Sequence, residues 1–287
     1  MKSLHKKALS AAAVALLSGV AMQSAYAADE PAAPEVSPIT ANVTVTSDYR
    51  YRGISQTNFK PAIQGGFDYA HESGLYIGNW NSSISWISDS FPSTSSSGKV
   101  TAPVEMDFYG GIKKELIGEG FASDLGVLQY YYPTSGIAVS GTTANPNTTE
   151  IYLAQNFTFG SITGFGKFSY AVSPIFGFAN STGSYYPDLT VNWDTGFWGT
   201  AVNAHIGYQY VAGNVQGSAP NVSNNSLYTY TDWKLGVTKD FGGGLSLAVA
   251  YIGTNAGKNS IGAYNYSSPT GKNLGGSTGV VSLTKAF

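Results

Sequence analysis

The chain has 287 residues, a formal net charge of −2 and no cysteine, with 20 tyrosines, 14 phenylalanines and 35 glycines. The absence of cysteine excludes disulfide bonds, thiolate metal sites and a thiol nucleophile. A slightly acidic chain without a basic stripe cannot neutralise a phosphate backbone, so we predict no nucleic acid partner. The high content of glycine and aromatic residues favours strands over helices.

The first predicted element is a secretory signal at residues 1–27. Lys2, Lys6 and Lys7 form a positive region, an apolar stretch covers residues 8–20, and Ala-Tyr-Ala at 25–27 suits cleavage. The apolar stretch is well short of the ~18–20 residues that a helical membrane span needs. Residues 28–40 contain prolines and no alternation, so we predict a flexible periplasmic lead-in.

Residues 41–287 are predicted to form about twelve β-strands, because apolar and polar residues alternate with a period of two. The first strand is predicted at 41–52, with Val43 and Val45 on one face and Asp48, Arg50 and Arg52 on the other. The same alternation recurs along the chain. It is less clear near 75–87 and 121–132, where aromatic and apolar residues occur on both faces.

The connections between these strands alternate in length. Short turns such as HESG at 71–74 and FGS at 159–161 alternate with long stretches rich in serine, asparagine and glycine. Short periplasmic turns, long extracellular loops and an even strand number are typical of an outer-membrane barrel. The sequence therefore predicts an all-β fold, a closed antiparallel transmembrane β-barrel of about 12 strands. A soluble β-sandwich gives no reason for all long loops to lie at one end.

The first predicted hairpin, SDYRYRGISQTNFKPAIQGGFDYAHESGLYIGNW at 47–80, resembles the TorF-type porin family. The block RGISQT at 52–57 is the most specific match. Further similar stretches include DFYGG, TEIYLAQNFTFG, YYPDLTVNW and the final VVSLTKAF, so the resemblance covers the predicted mature chain. The resemblance implies an outer-membrane barrel with a channel role, and it implies no particular solute.

The polar faces of the strands are predicted to line a pore, since Arg or Lys facing lipid at mid-membrane costs about 2–4 kcal/mol. Charges of both signs occur with acids in excess, and an acidic lining favours cations. The alternative is a lumen filled by salt bridges. The predicted pore-lining residues are Asp48, Arg50, Arg52, Asp68, Glu105, Asp107, Lys167, Asp188, Asp194, His205, Asp232 and Lys234.

The RGISQT block has two interpretations. In the functional one, the loop folds into the barrel and Arg52 places a charge at a constriction. In the structural one, Gly53 permits a bend, and Ser55, Gln56 and Thr57 satisfy hydrogen bonds of the loop.

Two other classes of function are an outer-membrane hydrolase and a structural or adhesive barrel. A hydrolase needs a nucleophile with a positioned base, but His71 is expected in a turn and His205 in the lumen. We therefore predict no catalytic residue, no cofactor and no metal site. A structural or adhesive barrel would act through its outer loops, which are rich in serine, threonine, asparagine and glycine. The variability that is usual for surface loops explains this composition equally well, so the composition does not favour an adhesive role.

The sequence thus predicts an outer-membrane channel for passive diffusion of small hydrophilic solutes or ions, with a non-conducting structural or adhesive barrel as the alternative. We expect export through a cleaved signal peptide to the outer membrane of a Gram-negative cell. The expected partners are outer-membrane lipid, a small hydrophilic solute and the barrel assembly machinery, which would act on the C-terminal strand ending in Phe287.

Overall fold

The structure, a computed structural model, describes residues 37–91, 98–138, 144–215 and 222–287. The predicted signal at 1–27 and the predicted lead-in up to residue 36 lie outside the described residues. Within the described ranges, no helix is long and apolar enough to cross a bilayer.

Strands dominate the described part of the chain, together with two short helices. The helices are α1 (Trp86–Ser90) and α2 (Asn224–Tyr228). The strands are β1 (Ile39–Thr46), β2 (Arg50–Tyr51), β3 (Ile54–Ser55), β4 (Ala62–Ala70), β5 (Leu75–Ser83), β6 (Val104–Gly118), β7 (Phe121–Tyr131), β8 (Thr148–Phe159), β9 (Ile162–Ala171), β10 (Tyr185–Asp194), β11 (Thr200–Gln209), β12 (Tyr230–Asp240), β13 (Leu245–Thr254) and β14 (Thr278–Ala286).

Twelve of these strands, β1 and β4–β14, form one closed antiparallel barrel. Each strand pairs with its neighbours in sequence, and the barrel closes where β1 pairs with β14, from Asn42 opposite Ala286 to Thr46 opposite Ser282. Closure leaves no unpaired edge in the sheet. The predicted fold class is therefore confirmed, and the two unclear segments form β5 and β7.

The strands separate their side chains into an outer apolar face and an inner polar face. On β1, Val43 and Val45 are 41% and 52% exposed, whereas Thr44 and Thr46 are 8% and 4% exposed. The same alternation holds on β12, where Leu235 faces outward. Successive residues of a strand point to opposite faces, so the sequence period alone determines this separation.

The connections also differ at the two ends of the barrel. One end, the short-turn end, carries the turns 71–74, 119–120, 160–161, 195–199 and 241–244. The opposite end, the long-loop end, carries the connections 47–61, 84–103, 132–147, 172–184, 210–229 and 255–277. The predicted alternation of short and long connections is therefore confirmed.

The first strand differs from its prediction. β1 begins at Ile39 and ends at Thr46, so it starts two residues earlier and stops well before residue 52. The chain then leaves the wall and turns back on itself, with positive φ angles of 44° at Arg52 and 76° at Gly53. The continued alternation of charged residues at 48–52 suggested a longer strand, but those residues form a separate hairpin.

Candidate functional site: the lumen and its inner hairpin

The connection between β1 and β4, residues 47–61, folds into the barrel and is called the inner hairpin below. Its two short strands pair with each other, Arg50 opposite Ser55 and Tyr51 opposite Ile54. The hydroxyl of Tyr49 donates to Glu105 Oε1 on β6 at 2.5 Å. Arg52 of the same hairpin contacts Glu150 on β8 and Gln209 on β11, so the hairpin crosses the lumen.

Arg52 connects the inner hairpin to two further strands of the wall. Its Nη2 donates to both oxygens of Glu150 on β8, at 2.9 and 2.7 Å, and its Nη1 donates to Gln209 Oε1 on β11 at 2.5 Å. The guanidinium also lies 4.1 Å from the ring centroid of Tyr186. The side chains of Arg52 and Glu150 are only 6% and 2% exposed, and the hydrogen bonds from Nη1 and Nη2 together hold the guanidinium in one orientation.

Arg50 and Asp48 hold the base of the inner hairpin. Arg50 Nε donates to Asp48 Oδ2 at 2.6 Å, while Arg50 Nη1 donates to the carbonyls of Leu274 and Gly276 at 2.8 and 3.1 Å. Asp48 Oδ1 accepts from Ser55 Oγ at 2.6 Å. The hairpin is thereby tied to the loop between β13 and β14.

The RGISQT block combines features of both of its predicted interpretations. The loop folds inward, and Thr57 Oγ1 donates to Asp48 Oδ1 at 3.1 Å, as a bond within the loop. Gly53 has a positive φ and lies against the side chains of Thr254 and Asp232, where a Cβ atom would clash. Only glycine fits both the backbone conformation and the space at this position.

One half of the lumen, along β4–β8, is filled by tyrosines and acids. The hydroxyl of Tyr76 donates to Asp124 Oδ1 at 2.6 Å and contacts the hydroxyl of Tyr152. Tyr109 donates to Asp68 Oδ1 at 2.5 Å. These rings are buried against the wall, so this half offers little room for a solute.

Glycines in the wall make room for these rings. A Cβ at Gly78 would meet the ring of Tyr109, and one at Gly126 would meet the ring of Tyr152. Each tyrosine therefore lies flat against the inner wall instead of pointing across the lumen.

The other half of the lumen contains a cavity of about 170 Å³. Its wall along β13 includes the small side chains of Ala248 and Ala250, and Ser282 continues it on β14. The remaining lining residues are Thr44, Thr46, Asp48, Tyr49, Arg50, Tyr51, Arg52, Gly53, Gln64, Trp80, Tyr130, Phe165, Lys167, Tyr186, Asp188, Thr190, His205, Asp232, Lys234, Ile252 and Val280. Free space thus runs along β12–β14 and β1, beside the inner hairpin.

The acids around this cavity have cationic or hydrogen-bonding partners. Lys167 Nζ lies 3.6 Å from Asp188 Oδ2. His205 Nε2 lies 3.0 Å from Asp232 Oδ1, and Tyr186 donates to Asp232 Oδ2 at 2.8 Å. The excess of acids in the sequence therefore does not produce a simple acidic lining in this region.

The structure brings most of the predicted pore-lining residues to this cavity and its hairpin. Asp68 instead lies under Tyr109. Glu105 and Asp107 are buried on β6, with Glu105 accepting from Tyr49. Asp194 lies at the end of β10, where its Oδ1 accepts from the backbone N–H of Gly196 at 2.9 Å in the turn. The cavity-lining members of the predicted set are Asp48, Arg50, Arg52, Lys167, Asp188, His205, Asp232 and Lys234.

Both histidines of the described chain lie where the sequence predicted. His71 lies in the turn between β4 and β5, where its Nδ1 is 2.8 Å from Ser73 Oγ. His205 lies on the lumen wall, and its Nδ1 is 3.0 Å from Thr190 Oγ1.

A second cavity, of about 560 Å³, lies at the long-loop end and is called the vestibule below. Tyr51 of the inner hairpin lines both cavities, so the hairpin separates them. Sequence reasoning missed this site, because its rings come from several loops without periodic spacing. The vestibule is lined by Tyr51, Ile54, Ser55, Gln56, Trp86, Asp89, Ser90, Phe91, Tyr132, Ile175, Phe176, Gly177, Phe178, Gln209, Tyr228, Tyr230, Asn265, Tyr266, Ser267, Ser268, Pro269 and Leu274.

Several solved barrel structures are similar to this chain at low identity. The KdgM porin in complex with disordered oligogalacturonate is 6% identical with a TM-score of 0.48, over 87% of this chain and 98% of that chain. The toluene transporter TodX of Pseudomonas putida is 8% identical with a TM-score of 0.46, over 88% and 89%. The outer membrane protein OprD of Pseudomonas aeruginosa is 13% identical with a TM-score of 0.38, over 88% and 66%. These values are too low to transfer a ligand or an activity.

No curated protein matches the sequence significantly. A family model does match, over residues 28–287, and its description is a bacterial protein of unknown function, Gcw_chp. That description names no channel and no solute, so the resemblance to TorF-type porins stays a prediction. The match covers all of the described barrel, and the chain therefore belongs to the Gcw_chp family.

Proposed function

We propose that the protein is an outer-membrane channel through which small hydrophilic solutes diffuse, with the inner hairpin as its constriction. The observation that carries this proposal is the separation of an apolar outer face from a polar, partly empty lumen. In water, an outer face of this kind would expose a continuous apolar surface, which soluble monomers avoid. In lipid, the same face is the stable arrangement, and a closed barrel satisfies its backbone hydrogen bonds.

Aromatic residues at both rims support the membrane location. Trp193 and Phe159 are exposed near the short-turn end, and Tyr131 and Tyr208 are exposed near the long-loop end. Aromatic rings at the two interfaces and an apolar band between them are typical of outer-membrane barrels. On this basis the short-turn end faces the periplasm, and the long-loop end faces the outside of a Gram-negative cell.

The route that we infer for a solute leads through the vestibule, past the inner hairpin and along β12–β14. The small residues Ala248 and Ala250 leave the free space on this side, while the tyrosines of β5–β8 fill the other. The charges beside the route are paired, which favours small polar solutes over ions of one sign. Arg52 lies where the hairpin narrows the route, so it is the residue that we expect to control passage most strongly.

A second candidate, a non-conducting barrel, is favoured by the hydrogen bonds that fix the inner hairpin to β6, β8 and β11. A hairpin held on three sides would close the lumen if it never moved. The two candidates differ in conductance alone, since both require the same fold and location.

Conductance across a planar lipid bilayer tests the proposal. The refolded protein should give discrete current steps, and a variant with residues 48–60 replaced by a short glycine-serine linker should give larger steps. The variant lacks most of the inner hairpin, so it should conduct measurably even if the hairpin makes the wild-type current too small to record. If neither protein carries discrete currents while both migrate as folded barrels, the channel proposal is wrong and the non-conducting barrel is favoured.

A further inference from the structure

The vestibule has the dimensions and chemistry of a small-molecule site. Its volume of about 560 Å³ falls within the range of about 300–1,000 Å³ that is usual for ligand pockets. Such pockets combine aromatic side chains with a few polar groups that fix the orientation of the ligand. The vestibule has both kinds of group, supplied by loops at the long-loop end and by the inner hairpin.

The rings of the vestibule are arranged in two contacting sets. In the first, Trp86 of α1 meets Phe91 and Tyr132 edge-to-face, at centroid distances of 5.6 and 5.5 Å. In the second, Tyr228 of α2 lies 4.3 Å from Phe178. Edge-to-face and offset contacts hold rings rigidly, so their faces are preorganised before a ligand arrives.

Tyr266 joins the second set from the loop between β13 and β14. Its ring packs edge-to-face on Tyr230 at 5.2 Å, and its hydroxyl donates to the carbonyl of Tyr228 at 2.7 Å. Burial raises the pKa of the Tyr266 hydroxyl well above its usual value. The hydroxyl therefore stays protonated at neutral pH, and this part of the vestibule carries no charge.

The polar groups of the vestibule are almost all neutral. Among its described lining residues, Asp89 has the one charged side chain, and its carboxylate already accepts from Ser85 Oγ at 2.8 Å. Gln56, Gln209 and Asn265 supply amides, whose NH2 groups already donate to the backbone carbonyls of Ile54, Tyr210 and Leu227. The indole N–H of Trp86 is buried and has no hydrogen-bond partner among the described residues. A buried donor of this kind normally has a partner, which a ligand or water would provide.

We propose that the vestibule binds a short neutral oligosaccharide. The C–H faces of sugar rings pack on aromatic faces, and at the same time sugar hydroxyls can donate to amide oxygens and accept from the Trp86 N–H. The inference rests on the proposed channel function, because it names the class of solute that the channel would admit.

Other ligand classes fit this lining less well. An ion would find almost no opposite charge, and its desolvation in an aromatic pocket would be unfavourable. An apolar aromatic compound would match the rings but would leave the buried Trp86 N–H unsatisfied, which is costly.

The test is calorimetric titration of the full refolded protein in detergent with maltotriose, cellotriose and p-cresol. Saturable binding of either trisaccharide is expected, with no stronger binding of p-cresol. Trp86→Ala and Tyr266→Ala should each weaken trisaccharide binding by about threefold to tenfold, the range for loss of one ring contact. Tyr266→Phe, which keeps the ring, should bind nearly as the wild type does.

Trp198→Ala is the matched control, because Trp198 is an exposed indole in the turn between β10 and β11 at the opposite end. Its affinity should equal that of the wild type, and folding of every variant is checked by heat-dependent migration on a gel. The proposal is overturned if neither trisaccharide binds, if p-cresol binds more tightly, or if Trp86→Ala and Tyr266→Ala leave the affinity unchanged. Conductance without trisaccharide binding would reject this site but not the channel, and binding without conductance would reject the channel but not the site.

Discussion

The ion pair between Arg52 and Glu150 is predicted to hold the inner hairpin in the lumen. The perturbation is a double-mutant cycle of Arg52→Met, Glu150→Gln and the variant with both changes. Methionine keeps much of the volume of the arginine side chain, and glutamine keeps the shape of glutamate. The cycle thus changes charge and hydrogen bonding with little change in packing.

The structure gives the expected magnitude. The side chains of Arg52 and Glu150 are only 6% and 2% exposed, and the two hydrogen bonds between them measure 2.9 and 2.7 Å. Removal of one partner from a buried pair of this kind costs about 3–5 kcal/mol, because the other charge is left uncompensated. Removal of both leaves no such charge, so the double variant should lose clearly less than the sum of the single variants.

Urea unfolding in lipid vesicles measures the free energies, and bilayer recordings measure the conductance of the same proteins. We expect larger or noisier conductance in each single variant, since the weakened anchor lets the hairpin leave its position. Lys114→Ala is the control, because it removes an exposed cation at the short-turn end of β6. Additive free energies, within the ~0.5 kcal/mol expected of independent sites, together with unchanged conductance, would refute the anchoring role.

Two further predictions test the lumen. Ala250→Trp should lower conductance by about half or more, because its indole would fill part of the cavity through which the proposed route passes. Val249→Trp, on the outer face, should leave conductance unchanged, and equal conductance of the two variants would contradict the proposed route. Gly207→Ala should destabilise the barrel by about 1–3 kcal/mol, since its Cβ would overlap the ring of Tyr186. Its control is Gly166→Ala, because no atom lies within 4 Å of a Cβ added at that position. Similar unfolding curves for these two variants would show that the Tyr186 ring moves aside without a cost in stability.

The separation of the two barrel faces could be predicted because it depends on a local rule. On β10 and β12, Asp188 and Lys234 were expected inward and Leu235 outward, and the structure has this arrangement. A strand alternates its side chains regardless of its neighbours, so the period of two in the sequence suffices.

The inner hairpin could be predicted only in part. Asp48, Arg50 and Arg52 continue the alternation of β1, and nothing local distinguishes them from strand residues. They leave the wall because of partners distant in sequence: Arg52 pairs with Glu150, and Arg50 with carbonyls near residue 275. Contacts between distant residues leave no periodic signal, so the end of β1 was placed too late.

The vestibule could not be predicted at all, for the same reason. Its rings come from four separate connections and belong to Trp86, Phe178, Tyr228 and Tyr266. In the sequence, none of them differs from an ordinary loop residue. Only the barrel, which gathers its long connections at one end, brings these rings together.

The seam of the barrel has a consequence for how the molecule forms. Thr44 and Thr284, which are 240 residues apart, share a hydrogen bond of 2.8 Å between the first and last strands. Until that seam forms, both strands present unsatisfied amides, each of which would cost several kcal/mol in hydrocarbon. A half-built cylinder therefore has no stable place within the bilayer core, and insertion and sealing are expected to occur as one event.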